Sequence, residues 1–134
     1  MRFYNFFIFF ISLAIFEIAN SNDPYDNNLD GKRLICISNS DSIEDWGVRF
    51  LSDRKVVLFS LDKFLYEIYK YQRTYRTDLR NINIFKGNDI EFVISRQSLR
   101  FGNKKCTKTT TDPRIILERR IIDIKNIKTK SNKI

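Results

Sequence analysis

Residues 46–101 decide the fold of this 134-residue chain, and they read WGVRFLSDRKVVLFSLDKFLYEIYKYQRTYRTDLRNINIFKGNDIEFVISRQSLRF. Apolar and polar residues alternate with a period of two in short stretches such as 46–50 and 90–94, and polar turns separate these stretches. Because successive side chains of a strand point to opposite faces, the alternation predicts strands with one buried face. The clearest turn is residues 86–89, KGND, since Gly and Asn tolerate positive φ.

The only two cysteines, Cys36 and Cys106, flank this stretch. Two cysteines in an exported chain predict one disulfide. Residues 34–108 therefore form a disulfide-closed β domain, an antiparallel meander of about seven or eight short strands. A disulfide requires α-carbons within about 7 Å, so the ends of the meander must meet. The predicted fold is mostly β, a closed or nearly closed barrel.

Residues 60–75 allow two interpretations. Leu61, Phe64, Leu65, Ile68 and Tyr69 have the spacing of one helix face, so an α+β fold with a helix near 61–71 is the alternative. The tyrosines and threonines favour a pleated surface, and both neighbouring segments are predicted strands. We therefore expect a long strand near residues 64–73.

The N-terminus has the layout of a secretory signal. Arg2 precedes an apolar run over residues 3–16, and Ala19 and Ser21 are the small residues that a signal peptidase reads. We predict a cleaved signal peptide over 1–21 and a polar, flexible leader over 22–33. The alternative is a membrane anchor, but the run is shorter than the roughly 17–25 residues that a spanning helix needs. We expect a secreted, extracellular protein with no membrane span after cleavage.

Residues 109–134 form a basic C-terminal segment. Asp112-Pro113 is a plausible helix start. Seven apolar residues follow between 115 and 127, but on a helical wheel they scatter over most of the circumference. We expect either a short helix or a β segment that adds to the domain, followed by a frayed tail, so that the segment is partly helical or disordered.

The composition excludes most catalytic chemistry. The chain has no histidine, two cysteines and four glycines, which excludes Ser-His-Asp and Cys-His catalysis, all-cysteine metal sites and glycine-rich nucleotide loops. The acidic residues Asp41, Glu44 and Asp45 lie in a polar loop, where solvation is the expected role. We predict no enzyme activity, no cofactor and no metal site.

The charge indicates what the chain could bind. Its net charge is +8, and cations alternate with tyrosines in one stretch. Such a face can attract anionic partners, although a solvated strand with half-buried tyrosines is the simpler interpretation. The predicted binding residues are Tyr69, Lys70, Tyr71, Arg73, Tyr75, Arg76 and Arg80.

These observations lead to two hypotheses about function. The first is a secreted, monomeric, non-enzymatic binding protein, similar to an inhibitor or effector, that engages an extracellular protein or an anionic glycan; no specific nucleic acid is predicted as a partner. The alternative is a small carrier with an apolar ligand held near the single tryptophan, Trp46, at the mouth of the barrel.

Overall fold

The computed structural model describes residues 28–131 and shows a closed antiparallel barrel, in which each strand pairs with the next and the last pairs with the first. The strands are β1 (Arg33–Cys36), β2 (Asp45–Phe50), β3 (Lys55–Asp62), β4 (Glu67–Thr77), β5 (Asn81–Lys86), β6 (Asp89–Ser95), β7 (Arg100–Phe101) and β8 (Lys104–Lys108). One helix, α1 (Pro113–Ser131), follows the barrel. The predicted closed meander is confirmed. The predicted signal peptide and residues 22–27 of the predicted leader lie outside the described residues.

The predicted disulfide is also confirmed, and it joins the first strand to the last. Cys36 and Cys106 lie opposite each other in the β1–β8 ladder, with their α-carbons 4.1 Å apart. The Cys106 N–H donates to the Leu99 carbonyl, on the side of β7. The cysteines therefore occupy a non-hydrogen-bonded pair, the position at which side chains of antiparallel strands approach most closely.

The interior of the barrel is filled by side chains rather than hollow, as expected for so small a barrel. Val48, Leu58 and Ile84 are completely buried in it. Leu29 is 5% exposed at one end, where its N–H donates to the Tyr75 hydroxyl over 3.1 Å. Residues 28–33, which were expected in the flexible leader, thus cover this end of the barrel and enter β1.

The segment with helical spacing is a hairpin. The strand predicted near 64–73 is confirmed as β4, which begins at Glu67, and no helix occurs over 61–71. Leu61 and Ile68, which are seven residues apart in the sequence, face each other across the β3–β4 turn. Both belong to the apolar cluster on the outside of the barrel. The same spacing that places two residues on one helix face here places them on one face of a hairpin.

The outer cluster exists because α1 covers the wall formed by β1 to β4. Leu117 and Ile124 of the helix are buried against Val57 and Phe59. The Asp112 carboxylate accepts the Arg114 N–H and begins the helix. The helix is longer than expected, because exposed isoleucines such as Ile122 obscure the narrow stripe that it buries. Within residues 28–131, no helix is long and apolar enough to cross a membrane.

Gly47 determines how closely the helix approaches. A Cβ at Gly47 would lie 2.6 Å from the Pro113 Cβ and 3.5 Å from the Leu117 side chain. We predict that Gly47→Ala lowers the free energy of unfolding by about 1–3 kcal/mol, because α1 must move outward. Urea unfolding measures this. Pro113→Gly removes the Pro113 Cβ, and it should lower the free energy of unfolding less in the Gly47→Ala background than in the wild type. Additive losses of stability would contradict the contact.

The disulfide closes a loop of 70 residues, the separation of its cysteines. We predict that its reduction lowers the free energy of unfolding by about 4 kcal/mol, since the unfolded chain regains conformational entropy. Guanidinium unfolding with and without reductant measures the loss. The Cys36→Ala/Cys106→Ala variant should resemble the reduced protein and be insensitive to reductant. An unchanged midpoint on reduction would contradict the prediction.

Candidate functional site

The predicted basic, tyrosine-rich residues do not share one face. Alternation along β4 places Tyr69, Tyr71, Arg73 and Tyr75 on the side that faces the barrel interior. Tyr75 is 1% exposed, and its ring packs edge-on against Phe50 at 5.0 Å between centroids. Tyr75 therefore belongs to the core and cannot contribute to a binding surface.

The remaining predicted residues lie outside the barrel. Lys70 and Arg76 project from the outer face of β4, and both are exposed. The Arg76 guanidinium lies 5.6 Å from the centroid of the Phe85 ring on β5. Arg80 is exposed in the β4–β5 turn. The structure thus keeps Lys70 and Arg76 on one face and separates them from the tyrosines.

Four of the seven predicted residues do share an open strand edge. The register of β4 with β5 covers only Thr74 to Thr77. Within residues 28–131, the segment Glu67–Arg73 pairs with β3 alone. We call this segment the β4 edge; it includes Tyr69, Lys70, Tyr71 and Arg73, four of the seven predicted binding residues.

The hydrogen-bond pattern shows which backbone groups face this edge. The Tyr75 N–H donates to the Arg54 carbonyl, on the side of β3. Donors alternate between the two sides of a strand, so the N–H groups of Ile68, Lys70 and Gln72 point away from β3. The Arg73 guanidinium donates to the Gln72 carbonyl over 2.9 Å. The edge therefore presents main-chain donors in the spacing of a sheet, whereas its Gln72 carbonyl already accepts a hydrogen bond.

A basic concavity lies where β4 separates from β5. It encloses about 550 Å³ and includes Leu51, Val57 and Phe85 as apolar lining. Lys55, Arg73 and Lys86 also line it, and none of its described lining residues carries a carboxylate. Arg73 is paired with Glu91 over 3.1 Å, so its charge is partly compensated. The concavity can accept a negatively charged group beside an apolar one.

Tyr69 is held in its neutral form at the start of the edge. Its hydroxyl donates to the Glu67 carboxylate over 2.9 Å. This hydrogen bond, with smaller contributions from burial and neighbouring negative charge, raises the pKa of Tyr69. The phenol is therefore a hydrogen-bonding and stacking group rather than a nucleophile.

Trp46 lies at the same end of the barrel as the start of β4, within an aromatic cluster. Its ring centroid is 5.2 Å from that of Phe92, 5.4 Å from Phe101 and 6.0 Å from Tyr71. Trp46 is only 7% exposed. A shallow recess of about 470 Å³ beside the cluster is lined by Trp46, Phe92, Phe101 and Lys104. The Lys104 ammonium covers the rings, at 5.7 Å from the Trp46 centroid. Burial there lowers the pKa of Lys104.

Asp45 differs from expectation, because it is fully buried rather than solvated. Its carboxylate accepts the Ser38 N–H and pairs with Lys63 at 3.1 Å and Arg120 at 3.2 Å. Lys63 also donates to the carbonyls of Ser38 and Ser40. The network ties the β1–β2 loop, the β3–β4 turn and α1 together, which is a bracing role. In the described part of the chain, no group of three or more acidic or cysteine side chains is arranged to hold a metal ion.

The effect of nearby acidic residues on Lys104 can be tested by mutation. Burial lowers the pKa of its ammonium, whereas the nearby charges of Glu44 and Asp45 raise it. We predict that Glu44→Gln lowers the pKa of Lys104 further, because the ammonium loses a stabilising negative charge. NMR titration of the lysine side chain measures the pKa of Lys104. Asp41→Asn, which removes a charge elsewhere in the same loop, is the control; an equal effect of both variants would contradict the local interaction.

Comparisons with known proteins yield no relative from which a function could be transferred. No protein-family model matches the sequence, no curated protein is detectably similar to it, and no solved structure matches it. The structural features that bear on function are the β4 edge, the concavity beside it and the aromatic recess.

Proposed function

We propose that this chain is a secreted, non-enzymatic binding protein that accepts an extended acidic segment of an extracellular protein as an additional strand along the β4 edge. The observation that carries the proposal is the register of β4, which leaves Glu67–Arg73 without a neighbour on the β5 side among the described residues. A peptide added there would gain main-chain hydrogen bonds whatever its sequence.

An open edge of this length is normally a hazard. Unpaired N–H and C=O groups invite association with other chains, and proteins usually shorten, cover or bend such edges. Here the sheet closes as a barrel, but two stretches of its wall are sparsely paired. One is Glu67–Arg73 of β4, and the other is the part of β6 before Ile94, since β6 pairs with β7 only through Ile94 and Phe101. The β4 edge adjoins a basic concavity, which supports a role in recognition.

The charges favour an acidic partner. A strand added beside Gln72 and Arg73 would end at the basic concavity, near Lys55 and Lys86. An acidic side chain at that point would meet cations, and Val57 and Phe85 would accept a neighbouring apolar one. Such complementarity increases specificity and association rate more than affinity. The intramolecular disulfide supports an oxidising, extracellular location.

The carrier hypothesis has one supporting observation, the recess beside Trp46. A flat apolar ligand could stack there if Lys104 moved away from the rings. The barrel interior is filled, so such a ligand would lie in this surface recess beside Trp46. Quenching of Trp46 fluorescence by a fatty acid would support a carrier, and we rank it second.

Strand addition and simple charge attraction can be separated with two probes and matched variants. Poly-L-glutamate has a backbone that can pair with β4, whereas heparin is anionic but has no peptide groups. Lys70→Pro removes an N–H that faces the edge, and Lys70→Ala removes only the side chain. We predict that Lys70→Pro weakens poly-L-glutamate binding about tenfold relative to Lys70→Ala, as expected for about 1–1.5 kcal/mol of lost hydrogen bonding. Heparin binding should be equal for the two.

The charge requirement has its own control. Lys55→Glu/Lys86→Glu should weaken both probes, measured by calorimetry at fixed salt. Lys105→Glu/Arg119→Glu changes the net charge equally at exposed positions of β8 and α1, and it should have a much smaller effect. Equal losses of affinity in both double variants would mean that binding depends only on the net charge of the protein. If the wild type fails to bind poly-L-glutamate, or if Lys70→Pro behaves as Lys70→Ala, strand addition is wrong.

A further inference from the structure

The β3–β4 turn carries two large apolar side chains that are mostly exposed to solvent. Phe64 is 76% exposed and Leu65 is 61% exposed, at adjacent positions of the tip. Phe64 is the most exposed large apolar side chain among residues 28–131. Turns are normally formed by glycine, proline and small polar residues, which satisfy the backbone at no hydrophobic cost. An adjacent Phe-Leu pair at a tip is therefore a candidate contact surface.

The turn is braced, so that both side chains are held in the solvent. The Asp62 carboxylate accepts the N–H groups of Phe64 and Leu65 over 2.8 and 3.0 Å. Tyr66 adopts a φ of 54°, which reverses the chain. Lys63 is 4% exposed and is anchored to the β1–β2 loop through Asp45 and two carbonyls. A turn fixed on both sides cannot fold its apolar tip back onto the barrel. It is preorganised for contact with something else.

Cations of α1 surround the base of this tip. The Lys128 ammonium lies 5.8 Å from the Phe64 centroid and 5.0 Å from the Tyr66 centroid, and Lys125 lies 4.9 Å from Tyr66. Lys128 also donates to the Lys63 carbonyl. Two acidic residues border the tip, but Asp62 is directed at backbone N–H groups and Glu67 accepts the Tyr69 hydroxyl. The tip thus combines a protruding apolar pair with lysines behind it.

We infer that the Phe64-Leu65 tip docks the protein reversibly on a membrane surface with anionic headgroups. A narrow convex tip needs no complementary socket to enter the soft boundary between headgroups and acyl chains. At that depth, the lysines behind it would meet lipid phosphates and carboxylates. Long lysine stems can lie along the apolar region while their ammonium groups stay in water. A protein pocket would have to match the shape of this tip, whereas a lipid surface would not.

This surface is distinct from the β4 edge, and the two can be tested separately. Docking through the tip uses side chains of the turn and of α1, whereas strand addition uses backbone groups from residue 68 onward. A chain with both would present the β4 edge close to a membrane. Lys70→Pro should therefore leave membrane docking unchanged.

Flotation with lipid vesicles tests the inference. We expect the wild type to float with vesicles of phosphatidylcholine that contain about one third phosphatidylserine, and to remain unbound with phosphatidylcholine alone. Phe64→Ser/Leu65→Ser should reduce the bound fraction at least about fivefold. Leu79→Ser/Ile122→Ser removes two side chains that are each 59% exposed elsewhere, and it should float as the wild type does. Lys125→Glu should also weaken binding, and the effect should fade at high salt.

Three results would overturn the proposal. The wild type could fail to bind both vesicle types, in which case a pocket on another protein would be the remaining binding partner for the tip. Phe64→Ser/Leu65→Ser could float normally, which would mean that binding depends only on the net positive charge of the protein. The control pair could lose as much binding as the tip pair, which would indicate a general dependence on surface hydrophobicity. All of these positions are exposed, so we expect each variant to keep the fold. Thermal unfolding of each variant is the control for this.

Discussion

Pairing between β1 and β8 is the constraint on which the rest of the structure depends. It turns a meander of consecutive hairpins into a closed wall, and the Cys36–Cys106 bond lies within that seam. Closure removes two sheet edges and encloses a core that would otherwise be open to water. Within this wall, β4 pairs with β3 along eight residue pairs but with β5 along only four. The candidate site exists because β4 extends past the end of β5.

The wall is buried on both sides along β2 and β3, and this explains several otherwise unrelated residues. Gly47 lets the first turn of α1 lie against β2, and Val57 and Phe59 provide the apolar floor for the helix. Asp45 and Lys63, buried together, connect the loop, the turn and the helix at one end of the barrel. Buried ion pairs contribute little net stability but can specify one arrangement. Here they hold the β3–β4 turn, and with it the start of the β4 edge.

Much of the strand layout and the disulfide could be predicted, because alternation and turn residues act locally and two cysteines allow one pairing. The site could be predicted only in part. Tyr69, Lys70, Tyr71 and Arg73 do lie on one strand edge, but Tyr75 is a core residue, since inward and outward positions depend on register. The solvation expected for Asp45 was wrong, because its partners Lys63 and Arg120 are distant in the chain. The length of α1 was missed, because its exposed isoleucines conceal the buried stripe.

The sequence by itself determined the fold class, the meeting of the two ends of the meander at its only cysteine pair and the absence of histidine chemistry, since each follows from local pattern or from residue counts. Only the tertiary structure decided which face of β4 is buried, where β4 loses its neighbour and which cations line the concavity. It also decided that Phe64 and Leu65 stay in the solvent, although their spacing from Leu61 and Ile68 suggests burial. The physical reason is the same in each case. Strand stagger and the position of a turn relative to a helix arise from long-range pairing, and no short window of sequence contains that information.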